Sequence, residues 1–287
     1  MTEKMRVTMT EEMRERFRER LYERENAEAT IRKYLTDIRT LSAWLGEDQS
    51  FDKGRLLTYK SWLLSQYAAS SVNSMLASLN QFLRWLGLDA WKIKQLRIQK
   101  NLFLPKEKEL SKQEFQSLVR AARLAGKDWL ALCMETIAAT GIRISELKYF
   151  TVESVEKGRI EVWNKGKHRR IFLPASLGRS LLKYCRKQKI RSGCIFRGKT
   201  GKPKDRSQIW REMKELKELA GVDGGKIFPH SLRHLFARAY YRCTKDLAGL
   251  ADLLGHSSLS VTRIYTANSG EIYQRQLEEM GMLLEGT

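Results

Sequence analysis

Apolar residues recur at helical spacing along most of the chain. Met13, Phe17 and Leu21 fall four apart among Glu and Arg in residues 11–25, which predicts an amphipathic helix with a narrow buried stripe. Ile31, Tyr34, Leu35, Ile38, Leu41 and Leu45 predict a second helix, stopped at Gly46. A third runs through Val72, Met75, Leu76, Leu79, Phe82, Leu83 and Leu86, with a cap signal at Ser70-Ser71 and a stop at Gly87. With a further helix around Leu56–Tyr67, these predict a small all-helical bundle.

The helical period lapses over residues 98–110, which contain Pro105 and alternating charge, so a linker is expected there, with domains at 1–104 and 105–287. Patterning resumes at Ser111, where Ser-x-x-Glu (Ser111, Glu114) forms a capping box ahead of Phe115, Leu118 and Val119. The apolar run Trp129–Ala139 predicts a buried helix ending at Thr140-Gly141. Two short alternating runs, Arg159–Trp163 and Arg170–Leu173, predict a β-hairpin joined by residues 164–169. Helix is expected from Pro174 onward. The expected fold is therefore mainly α, a helical N-terminal bundle followed by a mixed α domain with a small β-hairpin.

Composition narrows the class. The chain has 287 residues, 42% hydrophobic and 30% charged, with a mean hydropathy of -0.47, values of a globular protein rather than a disordered or membrane one. No apolar run approaches the roughly 20 residues of a spanning helix, and no secretory h-region follows the charged N-terminus, so a cytoplasmic location is expected. Cys133, Cys185, Cys194 and Cys243 make no C-x-x-C pair, and neither a disulfide nor a metal site is expected from them.

Charge points to the partner. Lys and Arg number 53 against 33 Asp and Glu, giving +20 and a pI near 9.9, so a polyanion is the natural ligand. Residues 1–105 hold 18 basic and 13 acidic side chains, and residues 106–287 hold 35 and 20. The densest stretch, Lys183–Arg206, has ten Lys or Arg opposed only by Asp205. A solvated surface explains such a run as well as phosphate contact does, unless chemistry aimed at phosphate lies nearby. The candidate DNA contacts are Lys167, Arg169, Arg170, Arg186, Lys187, Lys189, Arg191, Arg197, Lys199, Lys202 and Lys204.

Four islands supply such chemistry: Thr140-Gly-Ile-Arg-Ile-Ser-Glu-Leu147, the hairpin turn at Lys165, Pro229-His-Ser-Leu-Arg-His234, and Leu253-Leu-Gly-His256 with Tyr265 nine residues on. Singly each is weak, since a lone His or Tyr more often packs than reacts. Together they meet the demands of transesterification at a phosphodiester, whose negative charge repels a nucleophile and grows on the equatorial oxygens in the transition state. Arg143 and Arg233 offer planar donor forks that match phosphate oxygens. A phenol with a reference pKa of about 10 needs its proton removed, and His230 is the candidate acceptor for Tyr265. The departing 5′ oxygen needs a general acid, for which Lys165 at a hairpin tip is placed. His256 would add a hydrogen bond to the phosphate. Glu146 would orient Arg143 or His230 from the same helical face, with His234 in support. These cations do the work that a divalent ion does in other nucleases, so no cofactor is expected.

These motifs resemble the tyrosine recombinases, the phage-integrase family, and in particular its compact Xer-like and transposon-integrase members. The resemblance runs from the helix at Thr30–Leu45 to Tyr265. It implies a site-specific recombinase that closes its two domains as a clamp around a duplex and acts as four protomers on two DNA sites. It also implies a 3′-phosphotyrosine at Tyr265 and a Holliday junction, with no metal or ATP. The tail, residues 268–287, bears Ile272, Tyr273, Leu277, Met280, Leu283 and Leu284 at near-helical spacing and is expected to dock on a neighbouring protomer, with folding back on its own domain as the alternative. The turn Asn-Lys-Gly-Lys-His-Arg-Arg departs from the Gly-Lys-Gly of many members, which leaves Lys167 as a rival to Lys165 for the general acid. A type IB topoisomerase sharing the pocket, or a DNA-binding accessory protein without catalysis, are the other readings.

Overall fold

A computed structural model describes residues 6–98, 109–164, 167–198 and 200–255, with the isolated positions 262, 279 and 280. The chain divides into two compact units, Met1–Lys100 and Asn101–Thr287.

The first unit is built on four helices: α1 (Glu11–Glu23), α2 (Glu28–Leu45), α3 (Lys53–Gln66) and α4 (Ala69–Trp85). Polar side chains start two of them. The Thr10 hydroxyl accepts from the Met13 amide at 3.1 Å, and the Asp52 carboxylate from the Arg55 amide at 2.8 Å. The helical stripes converge on a core containing Phe17, Ile38, Leu41, Leu56, Leu63, Val72, Leu76 and Phe82. Within it the Phe17 and Phe82 rings meet edge to face at 5.1 Å. Two details differ from the sequence reading. Ser70 and Ser71 lie inside the first turn of α4 rather than capping it, because Ala68, held extended, is already the boundary residue. A short antiparallel pair, β1 (Val7–Thr8) with β2 (Ser50–Phe51), joins the helices; strands of two residues are too short to show alternation in sequence.

In the second unit Ser111 and Glu114 form the expected capping box at the start of α5 (Lys112–Leu124), with bonds of 3.1 and 2.7 Å. Leu110, read from sequence as linker, is 1% exposed and belongs to this unit's core. Helix α6 (Asp128–Thr140) buries Leu130, Ala131, Cys133, Met134 and Ile137, so it forms the centre against which neighbouring helices pack. After a 3-10 turn (Ile144–Tyr149) come α7 (Val152–Glu156), β3 (Ile160–Asn164), β4 (Lys167–Ile171) and α8 (Ala175–Lys187). Four more helices follow: α9 (Arg206–Lys214), α10 (Lys217–Ala220), α11 (Pro229–Thr244) and α12 (Leu247–Leu254).

The hairpin is tighter than its sequence suggested. Its register pairs Ile160 with Ile171, Val162 with Arg169, Trp163 with His168 and Asn164 with Lys167, so residues 167–169 are strand rather than turn. Phe172 and Leu173 lie beyond the strand. Residues 188–198 and 200–205 are not helical either. Ile195 and Phe196 plug into the core there, and the backbone is tied by bridges between Thr151 and Cys194 and between Arg197 and Pro203. Among the described residues no helix is long and apolar enough to cross a membrane.

Candidate active site

Helix α6 ends at Gly141 in a left-handed conformation (φ 65°). A side chain there would be strained and would also strike its neighbours, since a Cβ would lie 2.6 Å from Phe236 Cε1 on α11, nearer still to Cδ1 of that ring, and 3.0 Å from Leu254 on α12. The glycine therefore lets α6 and α11 approach and turns its carbonyl toward Arg233. Arg233, only 1% exposed, donates from Nη1 to that carbonyl and from Nη2 to the Leu254 carbonyl at 2.7 Å. One guanidinium thus ties together the ends of α6, α11 and α12. Its direction is fixed before any ligand arrives.

Two residues after Gly141 the chain runs extended at Arg143 (φ -77°, ψ 147°) and then enters the 3-10 turn. Glu146 and Arg143 are therefore not stacked on one α-helical face, as the sequence reading had them. Glu146 instead reaches back to cap the turn. Its Oε2 accepts from the Arg143 amide at 2.8 Å and its Oε1 from Arg143 Nη1 at 3.2 Å. The Arg143 side chain stays 36% exposed while that of Glu146 is 2% exposed. Glu146 is also bonded to Arg169 Nη2, at 2.5 Å. Burial alone would raise the Glu146 pKa. The Arg143 amide and the charges of Arg169 and Arg143 outweigh it, and the carboxyl sits below its ordinary value.

Helix α11 opens with Pro229, whose missing N–H costs nothing at a first turn, and presents His230, Arg233 and His234 at three- and four-residue spacing. The two imidazoles meet edge to face at 4.6 Å. Desolvation, reinforced by the charges of Arg233 and Arg143, lowers the His230 pKa. Desolvation, then His230, Arg238 and Arg233, lowers that of His234 to about 4. Both rings are therefore neutral near pH 7. A neutral His230 is in the state required to accept a proton.

The structure thus brings Arg143, Glu146, His230, Arg233 and His234 to one place. Lys165, Lys199, His256 and Tyr265 lie outside the described residues, as does the side chain of Lys167. The other basic positions fall into two groups. Arg170, Arg186, Lys189, Arg191 and Lys202 are exposed, and Lys187, also exposed, pairs with Asp128 at 3.0 Å. Lys204 lies over the Trp129 ring at 3.8 Å and Arg197 is half-buried. Arg169, read from sequence among the outward contacts, points inward because strand alternation sets it beside buried Val162. The sequence reading also missed the carbonyls of Gly141, Leu253 and Leu254, whose positions no side-chain pattern reports. Among the described residues no group of His, Cys, Asp and Glu is placed to hold a metal.

Two buried guanidiniums, a capped and half-exposed third and a neutral imidazole form a site suited to a phosphodiester. Residues 108–271 match the phage integrase family, and residues 15–88 match the phage integrase N-terminal SAM-like domain. The chain belongs to the phage integrase family and is a tyrosine recombinase of the Xer type. It is 31% identical over 274 residues to tyrosine recombinase XerD of Vibrio cholerae, covering 85% of this chain and 87% of that protein. It is 29% identical over 288 residues to tyrosine recombinase XerA of Pyrococcus furiosus, covering 96% of each. Two solved structures share its fold. XerH site-specific recombinase bound to difH substrate aligns with a TM-score of 0.68 at 20% identity, over 96% of this chain and 85% of that one. A lambda integrase tetramer bound to a Holliday junction aligns with a TM-score of 0.69 at 19% identity, over 88% and 76%.

Proposed function

We propose that this recombinase cuts and rejoins duplex DNA at defined sites through Tyr265. The observation that carries the reading is the gathering of Arg143, Glu146, His230 and Arg233 at the ends of α6 and α11. The Tyr265 oxygen attacks phosphorus, and its phenolic proton passes to His230. The phosphorus–tyrosine bond forms as the bond to the 5′ oxygen breaks, and Lys165 gives that oxygen a proton. Arg143 and Arg233, with His256, balance charge growing on the phosphate oxygens. The phosphotyrosine retains the energy of the broken ester, so a 5′ hydroxyl from a second strand reverses the chemistry without ATP.

Exchange of two strand pairs through a Holliday junction by four protomers follows the lambda integrase tetramer bound to a Holliday junction, and action on a duplex site follows XerH bound to difH substrate. Residues 1–104 then serve as the duplex-gripping domain and 105–287 as the catalytic one, with the apolar stripe of 268–287 docking on a neighbouring protomer. The exposed Arg170, Arg186, Lys189, Arg191 and Lys202 supply phosphate contacts. The protein acts in the cytoplasm, on the nucleoid. The match of residues 15–88 to an integrase N-terminal domain favours recombination over topoisomerase-type relaxation.

The test begins by selecting a binding site from random duplexes with the Tyr265→Phe variant. A duplex carrying that site and a nick beside the scissile phosphate should trap a covalent adduct with wild type and none with Tyr265→Phe. An adduct with the Phe variant would remove Tyr265 as nucleophile. Relaxation of one plasmid without exchange between two sites would favour the topoisomerase.

A further inference from the structure

An arginine on the inner face of a two-stranded hairpin is costly unless its charge and its donors are both met. Arg169 is such a residue. The register sets it opposite Val162, on the face that carries buried Ile160 and Ile171, while His168 and Arg170 on either side face outward. Its side chain is 14% exposed. Nη2 donates to Glu146 at 2.5 Å, and Nη1 donates to the carbonyl of Leu253. The neighbouring Leu254 carbonyl is the one taken by Arg233, so two guanidiniums hold the last turn of α12. Gly255, which follows with φ +63°, leaves room for the Arg169 stem, for a Cβ there would lie 2.6 Å from its Cδ.

The effect on Arg143 is electrostatic as well as mechanical. Glu146 is a buried carboxylate, and with Arg143 alone it would form a neutral pair that presents little field to a phosphate. Arg169 changes the sum to one net positive charge. It also occupies Glu146 Oε2, so Arg143 gives Glu146 a single guanidinium contact, at 3.2 Å, and remains part-exposed. Slipping β4 by one residue would turn Arg169 outward and His168 or Arg170 inward, so the same contacts fix the hairpin that leads to Lys165.

We propose that Arg169 is a positioning residue of the recombination site, sharing Glu146 with Arg143 so that Arg143 keeps its net charge and direction for the scissile phosphate, and anchoring the end of α12. This rests on the reading of Arg143 as a phosphate clamp. It separates Arg169 from the DNA contacts: removing it should slow cleavage of bound DNA without loosening the complex.

The experiment uses the full-length protein and the nicked duplex chosen above, reading noncovalent affinity, the single-turnover rate of adduct formation at saturating protein, and thermal melting. Arg169→Met should lower the adduct rate about 100-fold while Kd changes by less than about threefold. Adding Glu146→Gln should restore the rate at least about tenfold over Arg169→Met alone, because the carboxylate left to quench Arg143 is gone. A structural prop would not be rescued by a second substitution in its partner. Arg169→Lys, which keeps the cation should the Met variant fold poorly, should retain at least about a tenth of the wild-type rate. Absence of rescue in the double variant, or affinity falling in parallel with rate in the Lys variant, would overturn the assignment. Adduct formation by wild type and its loss in Tyr265→Phe are read independently of Arg169, so these failures would leave the reading of covalent cleavage through Tyr265 standing.

Discussion

Charge is handled in opposite ways on α1 of the first unit and at one helix junction of the second. On α1 of the first unit, Arg16 pairs with Glu12, Arg18 with Glu15 and Arg20 with Glu23, all at three- or four-residue spacing and all exposed. Such pairs each contribute roughly 0.3–0.5 kcal/mol and keep a helix surface hydrated. In the second unit Arg233, Glu146 and Arg169 are taken out of water and bonded to one another or to helix-end carbonyls. Burying charge in this way is rarely the most stable solution for a core. Its concentration around one helix junction is what the proposed role asks for, fixed and desolvated cations against a phosphate whose charge rises in the transition state.

The contrast can be broken most sharply at Arg233. Arg233→Ala strands two carbonyls and empties a buried site, and should cost about 3–5 kcal/mol in denaturant unfolding. Gly141→Ala should cost about 2–4 kcal/mol, from left-handed strain together with the clash against Phe236. Glu146→Gln keeps the shape but loses the charge that two guanidiniums share, for about 1–3 kcal/mol. At the small end, Arg18→Ala should change stability by less than about 0.5 kcal/mol. Equal losses for Arg18→Ala and Arg233→Ala would erase the distinction between α1 and the junction.

Acid titration sharpens it further. His230 and His234 have lowered pKa values in the folded chain, so the unfolded chain binds their protons first. Stability should decline as pH falls below the ordinary value of 6.5, with the His234 share complete near pH 4. The depressed Glu146 contributes stability present above its ordinary 4.5 and lost as pH falls below it. Melting temperature against pH should thus fall in two stages, and Glu146→Gln should flatten only the second. A Gln variant with an unchanged acid limb would show that the carboxylate does not hold the junction.

Much of this was legible in the sequence. The stripes of α1, α2 and α4, the Ser111–Glu114 box and the stop at Gly141 are local signals, and local physics decides them. The convergence of Arg143, His230 and Arg233 on one place was legible from their motifs, while their roles toward a phosphodiester belong to the proposal. Arg169 reads as an outward turn residue because the sequence puts the hairpin turn across residues 164–169, whereas the strand alternation that turns it inward begins only once Asn164 is paired with Lys167. The three-residue spacing of Arg143 and Glu146 reads equally as a helical face or as the cap of a 3-10 turn, and the carbonyls that receive Arg233 follow from long-range packing, which leaves no mark in a one-dimensional pattern.

The most direct test is the separation of binding from chemistry at Arg143, the part-exposed guanidinium of the site. On the nicked duplex, Arg143→Ala should bind within about threefold of wild type, since the other proposed phosphate contacts are left in place, while adduct formation at saturation falls about 100- to 1,000-fold. Equal falls in affinity and rate, or an unchanged rate, would contradict a site preorganised for the transition state.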